Sequence, residues 1–159
     1  AFSTPCDLKE GAEILNLKSN AVYRKRFLKN LKKKILIKGQ EYPGLVDLKK
    51  LEDIKEWRDF DEHFSAPLNN YKDADDFYFN SSAKNFMENI QSPTLLVNAH
   101  NDPILTPACS PISMAKNHPN LFIENPGQGG HCGFMLPNQE FAWSETRALE
   151  FANEVVSSF

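Results

Sequence analysis

Apolar side chains recur every four residues at Tyr23, Phe27, Leu31 and Ile35, with cationic residues filling the positions between them. A period near 3.6 gathers such a set on one side of a helix, so the pattern predicts an amphipathic helix with a cationic face. Gly39 and the turn Tyr42-Pro43-Gly44 are expected to end it, and a second helical stretch follows through Leu48, Leu51, Ile54 and Trp57. A third helix is expected from Asp73 to about Asn89, its acidic first turn placed where the helix dipole favours negative charge. No strand pattern interrupts residues 8 to 65.

After residue 90 the period changes. Pro93-Thr-Leu-Leu-Val-Asn-Ala99 is a short apolar run of the kind found in strands buried on both faces, with proline at the one strand position that tolerates it. A helix over roughly Pro111 to Asn117 separates it from a second strand, Asn120-Leu-Phe-Ile-Glu124, which runs into the glycine-rich loop Pro126-Gly-Gln-Gly-Gly-His131. A last helix, about Gln139 to Ser157 with Asn138 as N-cap, would turn Phe141, Ala148, Leu149, Ala152 and Val155 to one side. Strand, helix, strand, helix implies a parallel sheet with right-handed crossovers, an α/β class. The opening Ala1-Phe-Ser-Thr-Pro5 reads as the end of one more strand running into a loop.

Composition adds limits rather than identity. With 159 residues, 41% hydrophobic and 25% charged, the chain has the balance of a globular unit. No apolar run is long enough for a membrane-spanning helix and no signal-peptide pattern is present. Cys6, Cys109 and Cys132 are an odd set without paired spacing, which points to free thiols and, with the missing signal pattern, to the cytoplasm. The net charge of −3 hides an asymmetry: Arg24, Lys25, Arg26, Lys29, Lys32, Lys33, Lys34 and Lys38 crowd one segment, and the stretch from Glu41 to Asp76 is mainly acidic. No nucleic-acid motif accompanies the basic run, so no nucleic-acid partner is inferred. A membrane surface and an acidic protein partner for the basic helix 20–38 are alternatives to the simpler reading, a solvated charged face.

Candidate chemistry gathers where loops leave the carboxyl ends of parallel strands. Asp102 follows the first strand and His131 the second, so neighbouring strands would bring them side by side although 131 − 102 = 29 positions separate them. A carboxylate beside an imidazole fixes its tautomer and stabilises the imidazolium formed in catalysis. Glycines 129, 130 and 133 leave room next to the ring and allow the abrupt turn that lifts His131 from the strand plane. His100, Asp102, His118 and His131 are expected near one end of the sheet, but the absence of an HExxH pair argues against a metal. His100 could line the site; His63 and His118 read as surface or packing residues.

Six segments then carry a resemblance: Ser3-Thr-Pro-Cys-Asp7-Leu, Phe60-Asp-Glu-His-Phe-Ser-Ala-Pro67, Asp73-Ala-Asp-Asp-Phe-Tyr78, Pro93-Thr-Leu-Leu-Val-Asn-Ala99, Asn101-Asp-Pro103 and Gly129-Gly-His-Cys-Gly-Phe134. In order and spacing they resemble the YheT-like branch of the α/β-hydrolases. The resemblance implies the C-terminal part of that fold: residues 1–7 as the end of a core strand and loop, 8–69 as a helical cap, and 70–159 as the core portion carrying catalytic acid and base. It also implies a serine hydrolase of carboxylic esters, with small-molecule or lipid-like ester substrates and no cofactor, in which Asp102 is the triad acid and His131 the general base.

The nucleophile is not in this sequence. None of the eleven serines lies in a Gly-x-Ser-x-Gly elbow, so the strained turn that exposes a catalytic serine cannot be drawn here. The family places it upstream, which makes the missing N-terminal half of the same fold the expected partner and this segment alone inactive. Cys132 is no substitute, because adjacent side chains diverge and it could not present its sulfur to His131; it is expected to pack within its loop. Phe27, Leu31 and Trp57 are candidates for an acyl pocket under the cap, or simply core, the latter preferred for any one of them.

Overall fold

The computed structural model describes residues 1–157. The chain divides into two units, one made of Ala1–Asp7 with Ala83 onward and the other of Leu8–Ser82.

In the first unit, Thr94–Val97 (β1) and Leu121–Glu124 (β2) pair in parallel, Thr94 opposite Leu121 and Val97 opposite Glu124. The chain start lies on the other side of β1: Phe2 bridges Val97 in the parallel sense, the Ser3 N–H donates to Val97 O at 2.9 Å and the Val97 N–H to Ala1 O at 2.9 Å. β1 is therefore central, which is why Leu95, Leu96 and Val97 are all buried. The two-residue period sends them to opposite faces. Leu96 joins Cys6, Met87, Leu105, Cys109 and Leu121, while Leu95 and Val97 meet Ala99 and Phe134.

Ile112–Ala115 (α6) forms inside the expected stretch. The last helix, Trp143–Val156 (α7), departs from expectation in its start and its face. Asn138 is no N-cap; it holds a left-handed φ of 59° in an exposed loop, and Ala142 occupies the cap position with its N–H donating to Glu145 Oε2 at 2.7 Å. Trp143, Phe151 and Val155 turn inward, whereas Phe141, Ala148, Leu149 and Ala152 are exposed. Arg147, on the same stripe as Trp143 and Phe151, reaches Glu124 on β2 at 2.8 Å, and Phe151 meets Phe122 edge-on at 5.5 Å. A rotation that buried Leu149 instead would give up both contacts.

The second unit is helical: Leu8–Asn16 (α1), Ala21–Glu41 (α2), Trp57–Phe60 (α3), a π-helical turn Asp61–Ser65, Ala66–Leu68 (α4) and Ala74–Ser81 (α5). Leu28, Ile35, Ile54, Phe60 and Phe64 form its core, with Leu31 and Trp57 packed against them. Tyr23 stays exposed, so the inward set on α2 is Phe27, Leu28, Leu31 and Ile35 rather than the strict four-residue series from Tyr23. Gly39 does not end α2. The helix runs through it to Glu41, and a Cβ there would stand 2.7 Å from Leu48 Cδ2, so the glycine permits the returning chain to lie close. Two cations of the basic run serve their own unit: Arg24 donates to the carbonyls of Leu15 and Asn16, and Lys32 Nζ to Ile54 O at 3.0 Å. α5 stops at Ser81 rather than near residue 89, because Ser82 turns extended and its buried hydroxyl accepts the Leu8 N–H at 3.0 Å.

One buried carboxyl is held by hydrogen bonds in this unit and is costly in its charged form. Asp61 accepts the Tyr78 hydroxyl at 2.8 Å and the Ser65 hydroxyl at 2.6 Å, yet burial still pushes its carboxyl above the ordinary carboxylate range. A carboxyl whose folded value is raised contributes stability at low pH that is lost as pH rises through that value. Tyr78→Phe should therefore cost roughly 1.5–3 kcal/mol at neutral pH, where the lost bond is to a charged acceptor, and clearly less where Asp61 is protonated. Urea denaturation at two pH values measures the difference.

Candidate active site

The carboxyl end of β1 is held before any reactive group appears on it. Asn98, buried directly after the strand, accepts the Thr4 N–H on Oδ1 at 3.0 Å and donates from Nδ2 to Cys109 O at 2.7 Å. Asn125, at the end of β2, donates to Asn98 O and to Ser110 Oγ, each at 2.8 Å. Three parallel segments are thus fixed at one end by short polar side chains, a function that only neighbouring chain can satisfy.

Asp102 comes four residues later, its side chain 1% exposed. Its Oδ1 accepts the N–H groups of Ile104 at 2.9 Å and Leu105 at 3.2 Å, which locks the turn, and Oδ2 faces His131 Nδ1 at 2.9 Å. A carboxylate oxygen can only accept, so Nδ1 carries the hydrogen and Nε2 is the nitrogen left to take up a proton. The His131 side chain is 35% exposed. The two residues placed by the sequence at successive strand ends do meet.

The loop that carries His131 is shaped by a buried anchor. The N–H groups of Gly133 and Phe134 both donate to Gly129 O, at 3.0 and 3.1 Å, closing a tight turn around Gly130 with its φ of 58°. Phe134 is driven inward, edge-on to Phe2 at 5.8 Å and stacked on Trp143 at 5.9 Å, so that His131 and Cys132 are carried outward. A Cβ on Gly129 would lie 2.5 Å from the Phe134 ring and 2.8 Å from Ala99 Cβ. Gly129→Ala should accordingly cost about 1–3 kcal/mol by overpacking, read as a lower urea midpoint.

Other candidates fall elsewhere. His118 precedes β2, its Nδ1 accepting the Asn120 N–H at 3.1 Å, so it stands at the amino ends of the strands, opposite Asp102 and His131 rather than beside them. His100 is exposed and borders a recess of about 210 Å³ with Asn98, Leu105, Ser110 and Asn125, while its own N–H holds Pro126 O at 2.8 Å. Phe27 meets Trp57 edge-on at 6.1 Å, and Leu31 and Trp57 pack in the core of the helical unit. Asn101 and Gln128, next to the site, stand in segments that the sequence singled out but were given no role there; the one available signal was an asparagine adjoining the candidate acid.

Cys132 is exposed, which corrects the expectation that it packs within its loop, because Phe134 takes that role. Cys6 and Cys109 are buried in one cluster, and burial, followed by the nearness of Cys109 and Asp7, pushes the Cys6 thiol up to about 12. An alkylating reagent at neutral pH should label Cys132 alone in the native chain and all three after denaturation, as intact mass would record.

Parallel strands flanked by helices place the chain in the α/β class. No family model and no solved structure matches it. Among curated proteins it is 26% identical over 157 residues to an abhydrolase domain-containing protein of Dictyostelium discoideum, covering 95% of this chain and 39% of that one. It is 31% identical over 116 residues to the putative esterase YheT of Escherichia coli, covering 72% and 34%, and 31% identical over 90 residues to phospholipase ABHD3 of Mus musculus, covering 57% and 22%. The chain belongs to the α/β-hydrolase superfamily. It spans roughly a fifth to two fifths of the length of these relatives.

Proposed function

We propose that this chain supplies the acid and base of a serine hydrolase of carboxylic esters, with Asp102 orienting His131 and the attacking serine lying outside the sequence. The observation that carries this reading is the 2.9 Å contact between His131 Nδ1 and a carboxylate already fixed by two backbone N–H groups. The relatives, a putative esterase and a phospholipase among them, support an ester or lipid-like substrate class.

In the proposed reaction His131 Nε2 takes the proton of the serine hydroxyl as its oxygen adds to the ester carbonyl. Asp102 stabilises the resulting imidazolium, which gives the proton to the departing alcohol as the acyl-enzyme forms. Water then adds to the acyl carbon, losing its proton to the same nitrogen, and as the intermediate collapses Nε2 returns that proton to the serine oxygen, releasing the carboxylic acid and restoring the free serine. The helical unit Leu8–Ser82 is inserted in chain order between the first strand segment and β1, and residues 8–69 of it are the part we assign as the cap.

The test needs two chains. A fluorophosphonate probe should leave the 159-residue chain unlabelled and should label a longer form that includes an upstream Gly-x-Ser-x-Gly. In that longer form His131→Ala and Asp102→Asn should each lower kcat for a short-chain ester by roughly 10³–10⁴-fold. Ester turnover by the 159-residue chain that His131→Ala abolishes would place the nucleophile inside it and sink the proposal.

A further inference from the structure

The backbone connection between the two site loops gives out before it reaches His131. Asn98 N–H bonds Glu124 O at 3.1 Å and His100 N–H bonds Pro126 O at 2.8 Å, continuing the strand pairing up to Pro126. His131 lies five residues further on, beyond Gly127, Gly129 and Gly130, and glycine has more backbone freedom to lose than any other residue. Something other than the ladder has to set where the imidazole stops.

Asn101 is built for that task. Its Oδ1 accepts the Gly130 N–H at 2.8 Å and its Nδ2 donates to Gln128 Oε1 at 2.8 Å. Asn101 adjoins Asp102, and Gly130 adjoins His131, so one side chain ties together the immediate neighbours of the two groups that must meet. Gly130 presents its N–H from a left-handed φ of 58°, a conformation that the bond to Asn101 helps to hold. The need for a tether is real because the imidazole is one-third exposed, and water competes for both Nδ1 and the Asp102 oxygen once the ring can swing.

We propose that Asn101 is a positioning residue: through Gly130 it holds the glycine loop against the Asp102 turn and thereby keeps His131 in the Nδ1–H tautomer, with Nε2 turned to the reaction. The inference rests on the acid and base assignment above and adds a residue that touches neither substrate nor nucleophile. It also ranks the two bonds. The one to Gly130 acts directly on His131, whereas the one to Gln128 only steadies the asparagine.

The tautomer can be read without turnover, by nitrogen-15 NMR of the histidine-labelled 159-residue chain at a pH where His131 is neutral. The native chain should show His131 mainly as Nδ1–H, a preference that Asp102→Asn removes. Asn101→Ala should lower the ratio of Nδ1–H to Nε2–H roughly fivefold or more, the loss of one ordinary hydrogen bond. Asn101→Asp keeps an oxygen facing Gly130 and should retain the native tautomer, and Gln128→Ala should change it less than twofold.

A folded Asn101→Ala chain with the native ratio would overturn the proposal. So would a folded Asn101→Asp chain that loses it, which keeps the idea testable if the alanine variant fails to fold. A native chain without the Asp102-dependent preference would bring down the acid and base assignment itself, and the tether with it; the Asp102→Asn comparison distinguishes that failure from failure of the tether alone.

Discussion

A carboxylate withdrawn from water costs several kcal/mol unless its lone pairs are met, and most of the α/β unit can be understood as meeting those of Asp102. Two of its partners are local, the N–H groups of Ile104 and Leu105, and they come from the turn that the residue itself begins. The third, His131, arrives from 29 positions away and only if β2 lies beside β1 in the right register. A slip of one residue would turn Asn98 and Asn125 away from each other and part the two loops. The buried amides at the strand ends, the tight glycine turn and the Phe134 anchor all act on that one meeting. None of them contributes chemistry, and each removes a way for the imidazole to be elsewhere.

How legible this was in the sequence follows from the range of the forces involved. β1 and β2 could be read within a residue or two because a run such as Thr94-Leu-Leu-Val97 has no comfortable place except between two covered faces. The adjacency of Asp102 and His131 was legible for the same reason, since neighbouring parallel strands deliver their loops to one end. Helix ends were less legible. Asn138 has the composition of a cap, but Glu145 reaches back to the Ala142 N–H and starts α7 four residues later than the pattern alone suggests. The face of α7 was hidden too, because the ion pair between Arg147 and Glu124 is a contact between elements that periodicity cannot see. Gly39 shows the converse, a helix breaker by composition that is retained inside α2 because Leu48 and Val46 must approach it.

The meeting of Asp102 and His131 also depends on how the helical unit is spliced into the chain. Residues Leu8–Ser82 interrupt a unit whose sheet needs Ala1–Ser3 on one side of β1, so the two ends of the insertion have to lie close together or the first strand segment is lost. The structure closes that gap in both units separately. In the α/β unit the Lys84 N–H donates to Cys6 O at 3.1 Å and the Lys84 ammonium pairs with the buried Asp7 carboxylate. In the helical unit the Leu8 N–H is held by the Ser82 hydroxyl at 3.0 Å. An insertion whose ends are pinned on both sides costs the host little more than a short loop would, since the entropy of closing it grows only slowly with its length. That arrangement lets the unit between Leu8 and Ser82 vary in length and surface while the Thr4 N–H continues to meet Asn98 and the strand ends that hold Asp102 stay where they are.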